Sequence, residues 1–339
     1  LRARLASLRA QIGSLSDSRR AGLWAWALSL IERESRREGR LAATDRALTA
    51  MSEALGKAGA DPFATLQPLL ENGAKLTPVE NGEIGLGFLQ RAGQAPRLVS
   101  LFDFDHQREL LLADGGPLFR LELSAGSNPS KTVTAEDTWR EAVLEPGLKS
   151  EAGKASCLLR WRTPADTSVG DIEVQVPVQL EGRRITWSIA ARPHSDGLGL
   201  RSVAFPSISL QRLSEGEDYA FVPNGSGVLT ANPTQRMSNF DGLWPNGWCT
   251  LQFGGYYDSL GGVYFAAHDG GGTAKNLRFR RLGNGIGCEV STPAPNTGVA
   301  KNDFASCPCV LEVFDGDWFD AAQIYKSWAQ KEAAWWPVQ

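Results

Sequence analysis

Between Pro223 and Asp269 the chain gathers residues suited to a neutral, polyhydroxylated ligand: Trp244, Trp248, Tyr256 and Tyr257, with Asp258, His268 and Asp269 among glycines and asparagines. An aromatic face covers the apolar side of a pyranose, an Asp or Asn bridges neighbouring hydroxyls with two hydrogen bonds, and glycine lets a loop come close. These seven residues are the candidate carbohydrate contacts, and Asp241 stands beside them. The same composition has a plainer use. Gly, Asn and Pro make turns, and the rings cover a sheet edge or a face against another domain; this packing reading carries slightly more weight.

Other chemistries are thinly represented. An acid/base pair in a sandwich groove has only His194, His268 and Glu289 to draw on, and the chain holds 3 histidines in all. A Ser-His-Asp arrangement would need His106, His194 or His268, and no Gly-x-Ser-x-Gly elbow accompanies them. Gly225-Ser226-Gly227 lacks the Gly-Lys-Ser/Thr of a phosphate loop, and Gly270-Gly271-Gly272 has no helix pattern after it, so both read as loops. Cys307-Pro308-Cys309 has no histidine near it and no second pair, and it reads as buried thiols rather than a zinc site. The 5 cysteines are odd in number and scattered, unlike a disulfide framework. Neither a metal nor a cofactor is expected.

Composition sets the class. Hydrophobic residues make up 42% and charged residues 22%, as in an ordinary globular protein, and no apolar run approaches the ~18 residues of a membrane span. Residues 1–60 carry 11 Lys/Arg against 6 Asp/Glu, and the remainder 24 against 32. The basic excess interleaves with acids, as at Glu32, Arg33, Glu34, Arg36, Arg37, Glu38 and Arg40, which fits a solvated helix face and disfavours a nucleic-acid partner. The 11 tryptophans against 2 methionines suit ring stacking, although packing is their commoner use.

The elements that would position these residues change character near residue 72. Leu1, Leu5, Leu8, Ile12 and Leu15 form a short helical stripe that needs a partner helix. A second helix follows Ser16 or Asp17, with Leu23, Trp24, Ala27, Leu30 and Ile31 inward. A third runs from about Thr44 through Leu55, and Asp61-Pro62 opens a short turn of helix before Asn72-Gly73. From Leu76 the period becomes two. Strands are expected at 83–90, 97–102, 118–123, 157–162, 203–210, 250–253, 263–267, 277–281 and 286–290. Ile172 to Leu180 and Ile185 to Ala191 alternate most clearly and read as a hairpin across Glu181-Gly182-Arg183. With more than ten strands and no helices between them, the expected class is mainly β: a large antiparallel sandwich of two sheets.

The last segment is the most specific. Val310, Leu311, Val313 and Phe314 read as a buried strand, and Asp317 through Asp320 as a near capping box. The helix that follows has Trp318, Ala321, Ala322, Tyr325, Trp328 and Ala329 on its apolar side. Trp318, Tyr325 and Trp328 are expected to dock together, leaving Trp335 and Trp336, beside Pro337, for a further domain.

The run from Phe314 to Ala329, Phe-Asp-Gly-Asp-Trp-Phe-Asp-Ala-Ala-Gln-Ile-Tyr-Lys-Ser-Trp-Ala, carries a resemblance together with Tyr256-Tyr257-Asp258, Gly261-Gly262-Val-Tyr-Phe-Ala-Ala-His-Asp269 and Lys275. It resembles the galactose-mutarotase-like super-sandwich that precedes a catalytic (β/α)8 barrel in bacterial glycoside-hydrolase-like proteins. The resemblance spans roughly Leu76 to Pro337. It implies three regions: an N-terminal helical region 1–72, the sandwich 73–316, and a linker helix 317–339 leading to a barrel that this chain lacks. It implies further that the catalytic carboxylates belong to the barrel, that carbohydrate is the partner, and that the protein is extracellular or periplasmic. The expected function is a non-catalytic accessory region of a glycoside hydrolase acting on poly- or oligosaccharide. A stand-alone carbohydrate-binding protein and a sugar-epimerase or polysaccharide-lyase relative are the alternatives.

Overall fold

The computed structural model describes every residue except 71–72, 113, 125–130, 148–152, 298 and 338–339. Asn72, Val338 and Gln339, all of which enter the region boundaries read from the sequence, lie outside the described residues. Helices α1 (Arg2–Gly13), α2 (Ser18–Ser35) and α3 (Leu41–Leu55) and the 3-10 turn Pro62–Leu69 form the N-terminal bundle. Asp17 caps α2 by accepting the Arg20 N–H at 3.1 Å, and Asp61 caps the 3-10 turn through Phe63 N–H at 2.9 Å. Leu5, Leu8 and Ile12 of α1 are buried as their spacing predicts.

Helix α2 is buried on more than the one stripe expected. Trp26, outside that stripe, turns toward the sandwich: its indole Nε1 donates to Ser100 Oγ at 2.7 Å and its ring stacks on Phe102 at 5.8 Å. A β-carbon on Gly85 would lie 2.7 Å from the Trp26 ring, so only glycine lets helix and sheet meet here. The bundle core accordingly includes Phe102 and Phe104 from beyond residue 72. The outer face of α2 carries the anticipated local pairs, Glu32–Arg36 at 3.3 Å and Glu34–Arg37 at 3.3 Å, whereas Arg33 points inward to the Val99 carbonyl at 2.7 Å.

The fold is mainly β. Among the described residues, antiparallel strands form sheets of 4, 11 and 6 strands. The small sheet, Lys75–Glu80, Ile84–Gln90, Arg97–Asp103 and Arg108–Glu109, carries the bundle. The spine of the large sheet runs in the order Val228–Ala231, Tyr219–Val222, Phe253–Asp258, Gly261–Ala267, Cys309–Phe314, Arg184–Trp187, Ile172–Glu181. The third sheet is Phe240–Trp244, Lys275–Leu282, Gly285–Pro293, Gly199–Gln211, Arg120–Ser124 and Lys131–Thr134. The two larger sheets share one core, with Val174, Val176, Val178, Ile185, Phe265 and Leu311 from one and Leu121, Val203, Ile208, Leu277 and Ile286 from the other. The predicted hairpin is present, with Glu181 opposite Arg184 and Val178 opposite Trp187.

A strand expected over 250–253 instead occupies Phe253–Asp258, so Tyr256, Tyr257 and Asp258 belong to a central strand rather than to a loop. Glycine spacing hid it. Gly254, Gly255 and Gly262 read as loop residues, yet each lies in the sheet, and a β-carbon on Gly262 would stand 2.2 Å from the Tyr256 carbonyl oxygen. The neighbouring strand Gly261–Ala267 is buried on both faces. Val263, Phe265 and Ala267 face the sandwich core, while Tyr264 and Ala266 face helix α5.

Helix α5 (Trp318–Glu332) follows the one-turn α4 (Pro233–Arg236) and seals that outer face. Its start is the full capping box anticipated: Asp317 accepts from Phe319 N at 2.7 Å, and Asp320 accepts from Asp317 N at 3.0 Å. Ala321, Tyr325, Trp328, Ala329 and Ala333 pack on Phe253, Tyr264, Ala266, Val310 and Phe314. One expectation is corrected here. Trp318 remains 43% exposed, because it sits at the first helical position, two turns before Tyr325, where its ring leans edge-on against Phe319 at 6.0 Å rather than over the strands. The Trp335 ring packs near Trp244, Tyr325 and Trp328 at 6.1–6.5 Å yet stays 40% exposed, and Trp336 lies against the same cluster.

Candidate functional site

The seven candidate contacts do not meet in one pocket. Only Trp248 is fully presented to solvent, at 76% exposure, on a tight loop where Asn246 Oδ1 accepts its N–H at 3.2 Å and Gly225 N–H donates to its carbonyl at 2.9 Å. Trp244 is buried, its ring 4.5 Å beneath the Lys275 ammonium. Tyr256 is buried in the sandwich core and donates its hydroxyl to Asp218. Burial, with the Asp218 carboxylate adding to it, pushes that phenol well up. Alternation on the strand sends Tyr256 to the inner face and Tyr257 to the outer one.

His268 and Asp269 end the buried strand and are likewise occupied. The His268 ring stacks on Trp328 at 4.4 Å with 15° between planes, and its Nε2 meets the Tyr264 hydroxyl at 2.9 Å. Burial first, and the Arg184 charge second, depress its pKa to about 3, so the imidazole is neutral and unsuited to act as an acid near neutral pH. Asp269 accepts from the N–H groups of Gly271, Gly272 and Thr273 at 2.9, 3.1 and 2.6 Å and from Lys275 Nζ at 2.6 Å. Although burial works against its ionisation, Lys275 and these N–H donors hold the carboxyl below its usual range. Lys275 also reaches Gln252 Oε1 at 3.3 Å and the Thr273 carbonyl, while Gln252 Nε2 and Trp335 Nε1 both donate to the Asp269 carbonyl, at 3.1 and 3.3 Å. This closed network seats α5 on the sheet.

The other proposed partners are held apart as well. Glu289 lies in the six-stranded sheet and is bound by Arg120 at 3.1 Å and Arg278 at 2.8 Å. His194 is exposed, 3.9 Å from Glu173. Asp241 is exposed and pairs with Arg278 at 2.9 Å. No His–Glu acid/base pair is assembled from these residues.

What remains open is a shallow shelf of about 560 Å³ lined by Glu217, Tyr219, Tyr257, Asp258, Ser259 and the Asp317–Asp320 turn. The Tyr219 ring stacks on Tyr257 at 5.5 Å with 19° between planes. Asp258 is fixed by Arg108 Nη1 at 3.0 and 3.1 Å, while Glu217 accepts from the Tyr219 hydroxyl at 2.7 Å. Tyr219 escaped the sequence reading because Tyr219–Val222 was not recognised as a strand; its antiparallel register, Tyr219 opposite Tyr257, is what stacks the rings. Among the described residues no cluster of three or more His, Cys, Asp or Glu side chains could hold a metal ion, and no helix is long and apolar enough to cross a membrane.

Comparison with known proteins places this architecture. No family model matches the chain. A Monosiga brevicollis protein named "Putative glycoside hydrolase 22789" is 29% identical over 137 residues, which take in 38% of this chain and 11% of that protein. Among solved structures, the α-N-acetylgalactosaminidase NagBb from Bifidobacterium bifidum superposes with a TM-score of 0.51 at 11% identity, covering 77% of this chain and 38% of the enzyme. The GH36 α-galactosidase AgaA from Geobacillus stearothermophilus gives a TM-score of 0.49 at 10% identity over 77% of this chain and 43% of that one. The chain therefore spans about two fifths of the length of these enzymes and about a ninth of the curated relative. Its fold is a large, mainly β antiparallel sandwich shared with part of a glycosidase.

Proposed function

We propose that this chain is the non-catalytic sandwich region of a glycoside hydrolase that acts on poly- or oligosaccharide, supporting a catalytic (β/α)8 barrel and contributing glycan contacts at its edge. The observation that favours it is how the carboxylates are spent. Asp258, Asp269 and Glu289 are each tied to Arg or Lys, and His268 is neutral under α5, so neither a proton donor nor a nucleophile is poised opposite another carboxylate. The curated relative's name supports a carbohydrate substrate class, and the sandwich shared with NagBb agrees with it in fold. The face offered to the barrel is the first turn of α5, where Trp318 and Phe319 are 43% and 55% exposed. Glycan contact falls to Trp248, with the partly exposed Tyr219 ring, backed by the buried Tyr257, as a second platform.

The test is direct. The purified chain should release no product from aryl glycosides or oligosaccharides, and in calorimetry with a glycan panel Trp248→Ala should weaken any binding that the wild type shows. A stacked ring contributes about 1 kcal/mol beyond its area, or several-fold in Kd. Turnover by the isolated chain that an Asp258 or Asp269 substitution abolishes would overturn the proposal.

A further inference from the structure

The edges of the three sheets are guarded unequally. An edge strand presents a row of free N–H and C=O groups to any other chain, and proteins blunt such edges with charge, proline or shortness. Among the described residues, the small sheet ends in Lys75–Glu80, which carries Lys75 and Pro78, and in Arg108–Glu109, 2 residues long. The six-stranded sheet ends in Phe240–Trp244, which carries Asp241, and in Lys131–Thr134, which opens on Lys131. Two edges of the large sheet are Trp139–Pro146, with Arg140 and Glu141, and Phe304–Ala305, again 2 residues long. Its remaining edge, Val228–Ala231, has none of these devices. No charged residue occurs from Tyr219 to Gln235.

Val228–Ala231 is held from one side only. It runs antiparallel to Tyr219–Val222, with Val228 opposite Val222 and Thr230 opposite Ala220. Just beyond it, the Asn232 N–H donates to the Asp218 carbonyl at 2.7 Å. Hydrogen-bonded pairs alternate along an antiparallel ladder, so Val228 and Thr230 also turn their N–H and C=O groups toward Tyr219–Val222, while those of Leu229 and Ala231 point away from it. Among the described residues no other strand lies on that side. Val228 and Leu229 point to opposite faces of the sheet, yet they are 42% and 45% exposed, so the strand is uncovered on both faces as well as along its edge.

We propose that this edge pairs with the same edge of a second copy of the chain, antiparallel and about a two-fold axis at Thr230. Charge selects that occupant. A two-fold contact sets each residue near the axis against itself or a close neighbour, so a charged strand would repel its own copy, and this strand carries no charge. The other edges of a second copy are closed by charge, proline or shortness. A closed barrel, the fold proposed above for the catalytic part, has no free edge to offer. In the resulting register Leu229 faces Ala231 of the second copy, and Thr230 faces its own counterpart. The outward groups of Leu229 and Ala231 then form the hydrogen-bonded pairs, and the two Thr230 side chains meet in the non-hydrogen-bonded pair between them. With 4 residues from each copy the contact is small, at the weak end of specific association, so the dimer depends on concentration.

Sedimentation velocity across a dilution series reads the association, and the expected wild-type result is a reversible equilibrium between monomer and dimer. Leu229→Pro removes an N–H that points into solvent in the monomer, where an edge strand tolerates proline. It should raise the dimer dissociation constant by about tenfold or more and leave the circular dichroism spectrum unchanged. Thr230→Lys, which sets two ammonium groups face to face across the axis, should have the same effect and serves if the proline variant fails to fold. Mild oxidation of cysteine variants reads the register. Residues opposite one another in a non-hydrogen-bonded pair have Cα atoms about 4.5 Å apart, within disulfide range, so Thr230→Cys should give a covalent dimer. Val228→Cys, which in that register faces Asn232 rather than its counterpart, should not, and neither should the wild type with its 5 native cysteines. A wild type that stays monomeric at every concentration, a dimer that neither Leu229→Pro nor Thr230→Lys weakens, or cross-linking through Val228→Cys as fast as through Thr230→Cys would overturn the proposal.

Discussion

Replacing Trp328 with alanine removes the ring that joins α5 to the sandwich. Trp328 is 5% exposed, lies flat on His268 at 4.4 Å, packs near Tyr325 at 5.5 Å and Trp335 at 6.1 Å, and donates its Nε1 to Glu332 at 3.2 Å. A tryptophan buries on the order of 200 Å². At ~25 cal/mol per Å² this is worth about 5 kcal/mol, an upper figure because the unfolded chain already covers part of its apolar surface. Core truncations of this size cost about 3–5 kcal/mol, and that range is expected here, since the rigid strand below cannot collapse into the vacated space. Trp318→Ala is the matched control: the same residue type in the same helix, left 43% exposed, should cost under about 1 kcal/mol. Urea melts followed by tryptophan fluorescence and by far-UV dichroism read both variants. A Trp318 variant as unstable as the Trp328 variant would refute the reasoning, because it would mean that the first turn of α5 is core.

Two further outcomes follow from the same face. His268 is neutral when folded, with its pKa depressed to about 3 against 6.5 for a free imidazole, so unfolding takes up a proton between those values. Stability is therefore full above pH 6.5 and falls as the pH drops toward 3, by several kcal/mol if burial persists, and His268→Phe, which keeps a ring over Trp328, should flatten that slope in melts across the window. Gly262→Ala places a β-carbon 2.2 Å from the Tyr256 carbonyl oxygen and 2.4 Å from Tyr257 Cβ. The strand must shift, so a loss of about 1–3 kcal/mol is expected, and an unchanged urea midpoint would contradict the packing described.

Local physics made much of this architecture legible. The caps at Asp17, Asp61 and Asp317 were readable because capping depends on residue type and on a neighbour two or three positions along, as was the turn at Glu181-Gly182-Arg183. The alternation from Ile172 to Leu180 specified one buried face, since a one-residue slip would expose every valine. A strand buried on both faces carries no such alternation. Phe253–Asp258 therefore looked like part of a glycine-rich, aromatic binding loop, whereas tertiary packing made it, beside the expected strand Gly261–Ala267, the spine of the large sheet. Spacing put Trp318, Tyr325 and Trp328 on one stripe, but where the sheet beneath ends is set by strand register, and register left Trp318 in solvent. The candidate contacts were scattered for the same reason. Adjacent residues Tyr256 and Tyr257 point to opposite faces, His268 and Asp269 close a network with Lys275, Gln252 and Trp335 from distant segments, and only Trp248 kept the exposure that its composition suggested. Residue type and spacing determined which elements form and where they begin; which face of each meets solvent was decided by long-range pairing, because burial is a property of what lies opposite.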